Sequence, residues 1–318
     1  MDHIVLDTLV AALPLVPVFM GIYMVFRIRA DFDLTIDGSF TLGGAVAAVA
    51  LIHGIPVPAA MALAVSAAGV AGLITAILHL TLKIQVLLAG LVMSLALFSV
   101  NLHVMGSPTV SLGFASTIFS STNNLSYDAQ SLAVCGILAA LLVVVLGGLA
   151  LFLKTEVGLA LRTTGVNARM ARSQGVNDNA LMAFSLFIAN SLAGLGGSLV
   201  VQNQGFADVN MGTGTFVAGV GAVLLGELLL RPAGSKVVRI MFAVVTGTVL
   251  YELVLVVALR EGLAASDLNG ATALTLIVAV AAQRYLRPVL GSWTPRRRGD
   301  PSMPLSGAAD HDAIRDVA

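Results

Sequence analysis

The chain has 318 residues, of which 58% are hydrophobic and only 11% charged, and its mean hydropathy is +0.96. Soluble domains carry about 25% charged residues, so this composition excludes an ordinary globular domain and makes lipid the solvent for most of the chain. The formal net charge is zero, with 17 basic and 17 acidic residues, and that balance hides a strongly uneven placement.

A hydrocarbon core about 30 Å thick needs about 20 apolar residues per helical crossing. Nine segments meet or approach that length: 4–26, 40–54, 57–80, 84–104, 130–153, 181–202, 213–230, 237–259 and 270–287. Segments 40–54 and 213–230 are short, and each reads either as a crossing or as a re-entrant helix. The expected fold is an all-α polytopic transmembrane helical bundle of about 8–9 spanning helices over 1–287. Residues 288–318, with the run Arg296, Arg297, Arg298, read as a disordered cytoplasmic tail near anionic headgroups.

Basic residues set orientation, because Lys and Arg are retained on the cytoplasmic side. With nine crossings and the N-terminus outside, that side holds Arg27, Arg29, Lys83, Lys154, Arg162, Arg169, Arg172, Arg231, Lys236, Arg239, Arg284, Arg287, the three tail arginines and Arg315. Only Arg260 remains outside, so sixteen of seventeen basic residues fall on one face. The expected topology is N-terminus outside and C-terminus cytoplasmic, in the cell inner (plasma) membrane. Asp2 and Asp7 open the first segment in place of a basic leader, which argues for a retained helix over a cleaved signal. Cys135 is the sole cysteine, so no intrachain disulfide can form.

Gly43-Gly44, Gly69, Gly72, Gly147-Gly148, Gly194 and Gly196-Gly197 allow close helix approach, the usual means of association in lipid. In Asp37-Gly38-Ser39 the sequence reads as a tight turn, with Ser39 capping a helix that begins at Phe40; a half-helix starting there near the inner face and helping to gate the exit is the functional alternative. Glu227 falls near the inner end of its segment, where it can reach water or pair with Arg231 four residues on, a helical ion-pair spacing. Glu252 lies past the middle of its segment, where a charge must face the bundle interior or be neutral. Asn101, His103, Gln202 and Asn203 gather at the outer ends of two segments. With Glu252 they are candidates for a translocation path, and interhelical hydrogen bonding is the competing reading. The histidines lack the clustered spacing of a metal site, and none is expected.

The stretch 154–180 is the one long basic connection. Residues up to Gly165 and from Asn167 to Gln174 have helical composition, with Asn167 placed as an N-cap and Gly175 as a stop. Two short helices carrying Arg162, Arg169 and Arg172 form a rigid knob suited to docking on a soluble partner; an ordinary loop held near lipid phosphates is the alternative.

This loop, the glycine-rich helix after it, and the run Gln204-Gly205-Phe206-Ala207-Asp208-Val209-Asn210-Met211-Gly212 resemble the permease subunits of ATP-binding-cassette importers. The similarity is to the branched-chain amino acid and ribose type, in particular its amino-acid-like subgroup. Leu34-Thr35-Ile36-Asp37-Gly38-Ser39-Phe40-Thr41-Leu42-Gly43-Gly44 after the first segment, and Leu88-Ala89-Gly90-Leu91-Val92-Met93 leading to Asn101, Met105-Gly106 and Pro108, carry it further. The resemblance implies alternating access by a dimer of permease subunits, most simply a homodimer. It implies a cytoplasmic ATP-binding subunit at a coupling loop, and an extracytoplasmic solute-binding protein. Arg162, Gly165, Asn167, Arg169 and Arg172 would meet the ATPase, and ATP would be bound by that partner, with no cofactor in this chain. None of Lys83, Lys154 or Lys236 lies in a phosphate-binding loop, and no catalytic cluster is apparent, so the chain is not expected to be an enzyme. An amino acid is the expected solute. The alternatives are a sugar or nucleoside permease of the same type, or an ion-coupled secondary transporter or channel.

Overall fold

A computed structural model describes residues 4–122, 125–230, 237–264 and 267–291. The first crossing is a composite rod. Helix α1 (Ile4–Ala12) passes through a 3-10 turn (Leu13–Leu15) into α2 (Val16–Tyr23), which ends in a π-helical turn (Met24–Arg29). Pro14 and Pro17 lack amide hydrogens, so regular α-bonding is interrupted there and the tighter turn takes over. Then come α3 (Thr35–Ile52), α4 (Val57–Leu82), α5 (Val86–Met105), β1 (Thr109–Ser111), α6 (Tyr127–Phe152), α7 (Glu156–Ser173), α8 (Asp178–Gln204), β2 (Phe206–Asp208), α9 (Thr215–Leu230), α10 (Val237–Arg260) and α11 (Leu268–Gly291).

Seven of these rods are long and apolar enough to cross a membrane: Ile4–Arg29, α3, α4, α5, α6, α8 and α10. Helix α9 and the apolar part of α11, Gly270–Ala282, are shorter. Each of the nine apolar segments is therefore helical, and the all-α polytopic bundle read from hydropathy is the fold. Among the described residues the only sheet is β1 against β2, antiparallel, which ties the end of α5 to the end of α8. The last helix runs to Gly291, past the boundary drawn at 288, and the rest of the tail lies outside the described residues.

Helix α8 is the hub, with α2, α3 and α4 packed on it. Glycine makes that possible. A Cβ on Gly43 or Gly194 would collide with the facing helix, and one on Gly197 would strike the Phe40 carbonyl. Gly147 and Gly148, read as packing residues from sequence, have nothing near enough to touch a Cβ. Their helix, α6, turns Val143, Val144 and Leu151 outward, as a lipid-facing helix does. Gly43→Val should therefore cost about 1–3 kcal/mol by overpacking, read as earlier unfolding in a denaturing-detergent titration. Gly147→Val should stay within about 0.5 kcal/mol. Equal effects would remove the distinction.

The start of α3 differs from the sequence reading. Asp37-Gly38-Ser39 is no turn: the helix begins at Thr35, and Ser39 is buried inside it with an unpartnered hydroxyl. Asp33 does the capping, its Oδ1 accepting the Thr35 amide at 2.9 Å while Oδ2 accepts the Asn190 side-chain amide at 2.7 Å. At about 1.5 Å per residue, Asn190 stands roughly 18 Å along α8 from Asp178. Arg29, by contrast, bonds Asp178 itself. Residues 30–34 thus fold back into the bundle, and α3 starts inside it. Irregular backbone at such depth is tolerated only when protein satisfies it or when it borders a cavity, and the fully buried Asp33 carboxylate does part of that here.

Candidate functional site

Two regions concentrate polar groups that a lipid-embedded bundle must account for. The first surrounds the buried helix starts. After β2 the chain descends to Gly212, which packs on the Asp37 carbonyl more closely than any Cβ would permit. Gly214, at φ +83°, turns the chain into α9, a conformation that favours glycine. The Gly214 amide donates to Asp37 Oδ2 at 3.2 Å and the Phe216 amide to Oδ1 at 2.7 Å. Asp37, in the first turn of α3, thereby caps α9 across the bundle. A carboxylate suits the positive end of a helix dipole.

Beside this cap lies an open groove of about 210 Å3 lined by Asp37, Thr41, Ser94, Asn101 and Thr213, with Leu95 and Phe98 as its apolar wall. Asn101 is buried; its Nδ2 donates to the Gly38 carbonyl at 3.3 Å, and its Oδ1 has no partner. Of the five path candidates, only Asn101 lines this groove. Gln202 is buried but occupied, its Oε1 accepting the Ile118 amide at 3.0 Å and its Nε2 donating to Ser198 O at 3.2 Å. Asn203 donates to Val10 O at 3.4 Å. His103 is exposed, with Nδ1 2.8 Å from the Ser99 carbonyl of its own helix. Glu252 does face the interior, buried within α10. Gln202 and Asn203 are staples between segments, and the polar cluster suggested by their shared height is not formed. Sequence reasoning missed Asp37 as a site residue, because its partners follow 177 and 179 positions later.

The second region is the knob made by α7. Its backbone breaks at Asn167 (φ −154°, ψ 90°), whose Oδ1 accepts the Met170 amide at 3.0 Å, so this residue caps the second half as the sequence indicates. Gly175, at φ +82°, closes it: the Gly175 amide bonds Arg172 O at 3.0 Å and the Val176 amide bonds Ala171 O at 3.2 Å. That pair of bonds is a Schellman motif. Val166, Asn167, Arg169, Met170 and Arg172 are exposed at the bend. Arg162 turns inward to line a small apolar cavity with Tyr23, Met24, Leu153 and Val237. Gly165 presses on the Ile28 carbonyl, closer than a Cβ allows.

The π-helical turn connects this knob to the rest of the bundle. Arg29 donates to Asp178 Oδ1 at 2.6 Å, to Thr164 Oγ1 at 3.2 Å and to Asp31 Oδ2 at 3.2 Å. Burial raises the Asp31 carboxyl above its ordinary range despite the adjacent guanidinium, and of the two carboxylate contacts the one to Asp178 is the shorter. Arg172 reaches the other Asp178 oxygen at 3.6 Å. Two residues before Arg29, Arg27 grips Glu227 of α9 through two bonds of 2.7 and 2.8 Å. Arg231, the neighbour that helical spacing offers Glu227, lies outside the described residues; among the described residues the Glu227 carboxylate is held by Arg27, 200 positions earlier. A fork of two parallel bonds is the strong form of this pair.

Residues 4–281 match the family model described as "Branched-chain amino acid transport system / permease component". The chain belongs to that family. It is 33% identical over 265 residues to the tyrosine transport system permease protein of Clostridioides difficile (strain R20291), covering 82% of this chain and 85% of the relative. It is 30% identical over 281 residues to an uncharacterized protein of Rickettsia prowazekii (strain Madrid E), covering 88% and 97%. The galactofuranose transporter permease protein YtfT of Escherichia coli (strain K12) is 25% identical over 244 residues, covering 74% and 70%. No solved structure matches the chain. The protein is thus a multi-pass membrane component of an ATP-binding-cassette transporter, as the motifs in its loops indicate.

Proposed function

We propose that this permease is one half of an ATP-driven importer that carries an amino acid across the plasma membrane by alternating access. One observation carries the reading: polar side chains of Asp37, Ser94, Asn101 and Thr213 line a groove that opens on the bundle surface beside helix ends buried within it. Lipid cannot solvate such groups. The groove therefore faces a second copy of the chain, and the translocation path runs between the two. Leu95 and Phe98, exposed on the same face, supply apolar contact around the polar strip. An amino acid as solute is supported by the likeness to a tyrosine permease. A sugar is the second reading, supported by the likeness to a galactofuranose permease.

The N-terminus lies outside and the α7 knob in the cytoplasm, where it docks on the ATP-binding subunit. Val166, Asn167, Arg169, Met170 and Arg172 make the contact, while Arg162 and Gly165 fasten the knob to the bundle. A solute-binding protein delivers the solute at the end closed by the β ribbon. Motion of the knob reaches the groove by rigid parts in direct contact: Gly165 and Thr164 push on the π-helical turn, Arg27 pulls Glu227, and α9 moves its capped end at Asp37.

Co-purification of the full chain with a co-expressed candidate ATP-binding subunit tests the reading. Val166→Asp combined with Arg169→Glu should cut the recovered ATPase at least tenfold without altering detergent stability, because both side chains are exposed. If the unaltered chain binds no ATPase, and flux through it in liposomes follows an ion gradient, the importer reading gives way to a secondary carrier.

A further inference from the structure

We propose that the groove beside Asp37 is an ammonium subsite, which selects solutes carrying a primary amine next to an apolar group; this inference rests on the transport reading above. The free hydrogen-bonding capacity of the groove is strongly biased toward acceptance. A carboxylate accepts about four hydrogen bonds, and Asp37 uses two of its positions on the Gly214 and Phe216 amides. It is only partly buried, so the remaining positions look into the groove.

Asn101 supplies the second acceptor. Its orientation is set by the Gly38 carbonyl, which needs the Nδ2 donor and would be opposed by an oxygen if the amide were flipped. Oδ1 is therefore the atom left over, and it is buried without a partner. An orphaned buried acceptor of this kind is destabilising, and a bound donor removes that cost. Gly38 follows Asp37 directly, so the bond from Asn101 to Gly38 sets Asn101 beside the first turn of α3 that carries Asp37, and both residues line the groove. An ammonium group brings three donors: Asp37 and Asn101 take two, and the Ser94 hydroxyl, on the same wall, can take the third. An anion in that place would meet the Asp37 charge in a medium of low dielectric and be rejected.

The volume agrees with a subsite. Complete small-molecule pockets enclose about 300–1,000 Å3, and this groove of about 210 Å3 is open on one side. It holds the amine and the first part of an apolar side chain against Leu95 and Phe98, while the remainder of the solute extends toward the second copy.

The test uses the full-length chain in lipid nanodiscs, with empty nanodiscs as the blank and saturation-transfer NMR as the readout. The probes are L-phenylalanine, phenethylamine and 3-phenylpropionate. The expected result is specific transfer to the two amines and none to 3-phenylpropionate, with apparent affinity weakened at least tenfold in Asp37→Asn. Asn keeps a cap acceptor for α9 while removing the charge. Asn101→Leu, which leaves the α9 cap untouched, should weaken both amines comparably and serves if Asp37→Asn fails to fold. Binding of 3-phenylpropionate as strong as that of L-phenylalanine, unchanged amine binding in Asn101→Leu, or no specific binding of any probe overturns the proposal. ATPase co-purification is measured on the same preparations. Loss of amine selectivity with the ATPase still bound sinks the subsite alone, whereas absence of the ATPase sinks the importer reading and leaves the amine result legible.

Discussion

Replacing Arg27 with Gln will destabilise the bundle by about 2–3 kcal/mol and reduce ATP-driven uptake at least tenfold, and the reversed pair Arg27→Glu with Glu227→Arg will recover much of the stability. Removing one partner of a buried ion pair costs about 3–5 kcal/mol, because the other charge is left without compensation. Here the Glu227 side chain is 5% exposed and the Arg27 side chain 40% exposed, so solvent already screens part of the interaction and the lower figure applies. The functional loss follows from place. This fork links the π-helical turn to α9, the helix whose far end Asp37 caps. Stability is read by denaturing-detergent titration and transport by solute uptake into liposomes containing the assembled complex. If Arg27→Gln lowers stability yet leaves uptake per folded molecule unchanged, the pair is structural and the mechanical connection runs elsewhere.

Gly165→Ala will separate ATP hydrolysis from transport. The added methyl meets the Ile28 carbonyl with no room to spare, so α7 must tilt away from the π-helical turn, stretching the Arg29–Thr164 bond at 3.2 Å. The exposed tip at Val166, Arg169 and Met170 keeps its own caps at Asn167 and Gly175. The ATPase should therefore still co-purify and hydrolyse ATP, while uptake falls at least tenfold. Gly175→Ala is the control. It strains a left-handed position at the cost of about 1 kcal/mol and leaves the Ile28 contact alone, so coupling should persist. Equal coupling in both variants would show that the Gly165 contact transmits nothing.

Much of this protein was legible in its order of residues. Hydrophobic segments located the nine apolar helical rods seen among the described residues, because every backbone polar group in lipid must be satisfied within its own helix and a run of apolar residues leaves few other options. The bend of α7 was also legible, since Asn167 and Gly175 act on amides and carbonyls within a few positions of themselves. The family emerged from motif order, which the match over residues 4–281 establishes.

What sequence alone misplaced depended on contacts distant along the chain. Ser39 was read as a cap and Asp37 as part of a turn, yet Asn190 holds Asp33, and that contact moves the start of α3 back to Thr35. Spacing within one helix offers Glu227 only a local neighbour, whereas its partner Arg27 is defined only when the π-helical turn and α9 pack together. Gln202 and Asn203 were grouped with Asn101 by height, but side chains at one height point in different directions around their helices. Local order determined which residues cross the membrane and how the knob is capped. Packing of glycine-lined helices decided which charges pair, which acceptor stays unpartnered and where the groove opens, because those outcomes depend on the rotation of each helix about its own axis. Near-uniform apolarity leaves that rotation unmarked in sequence.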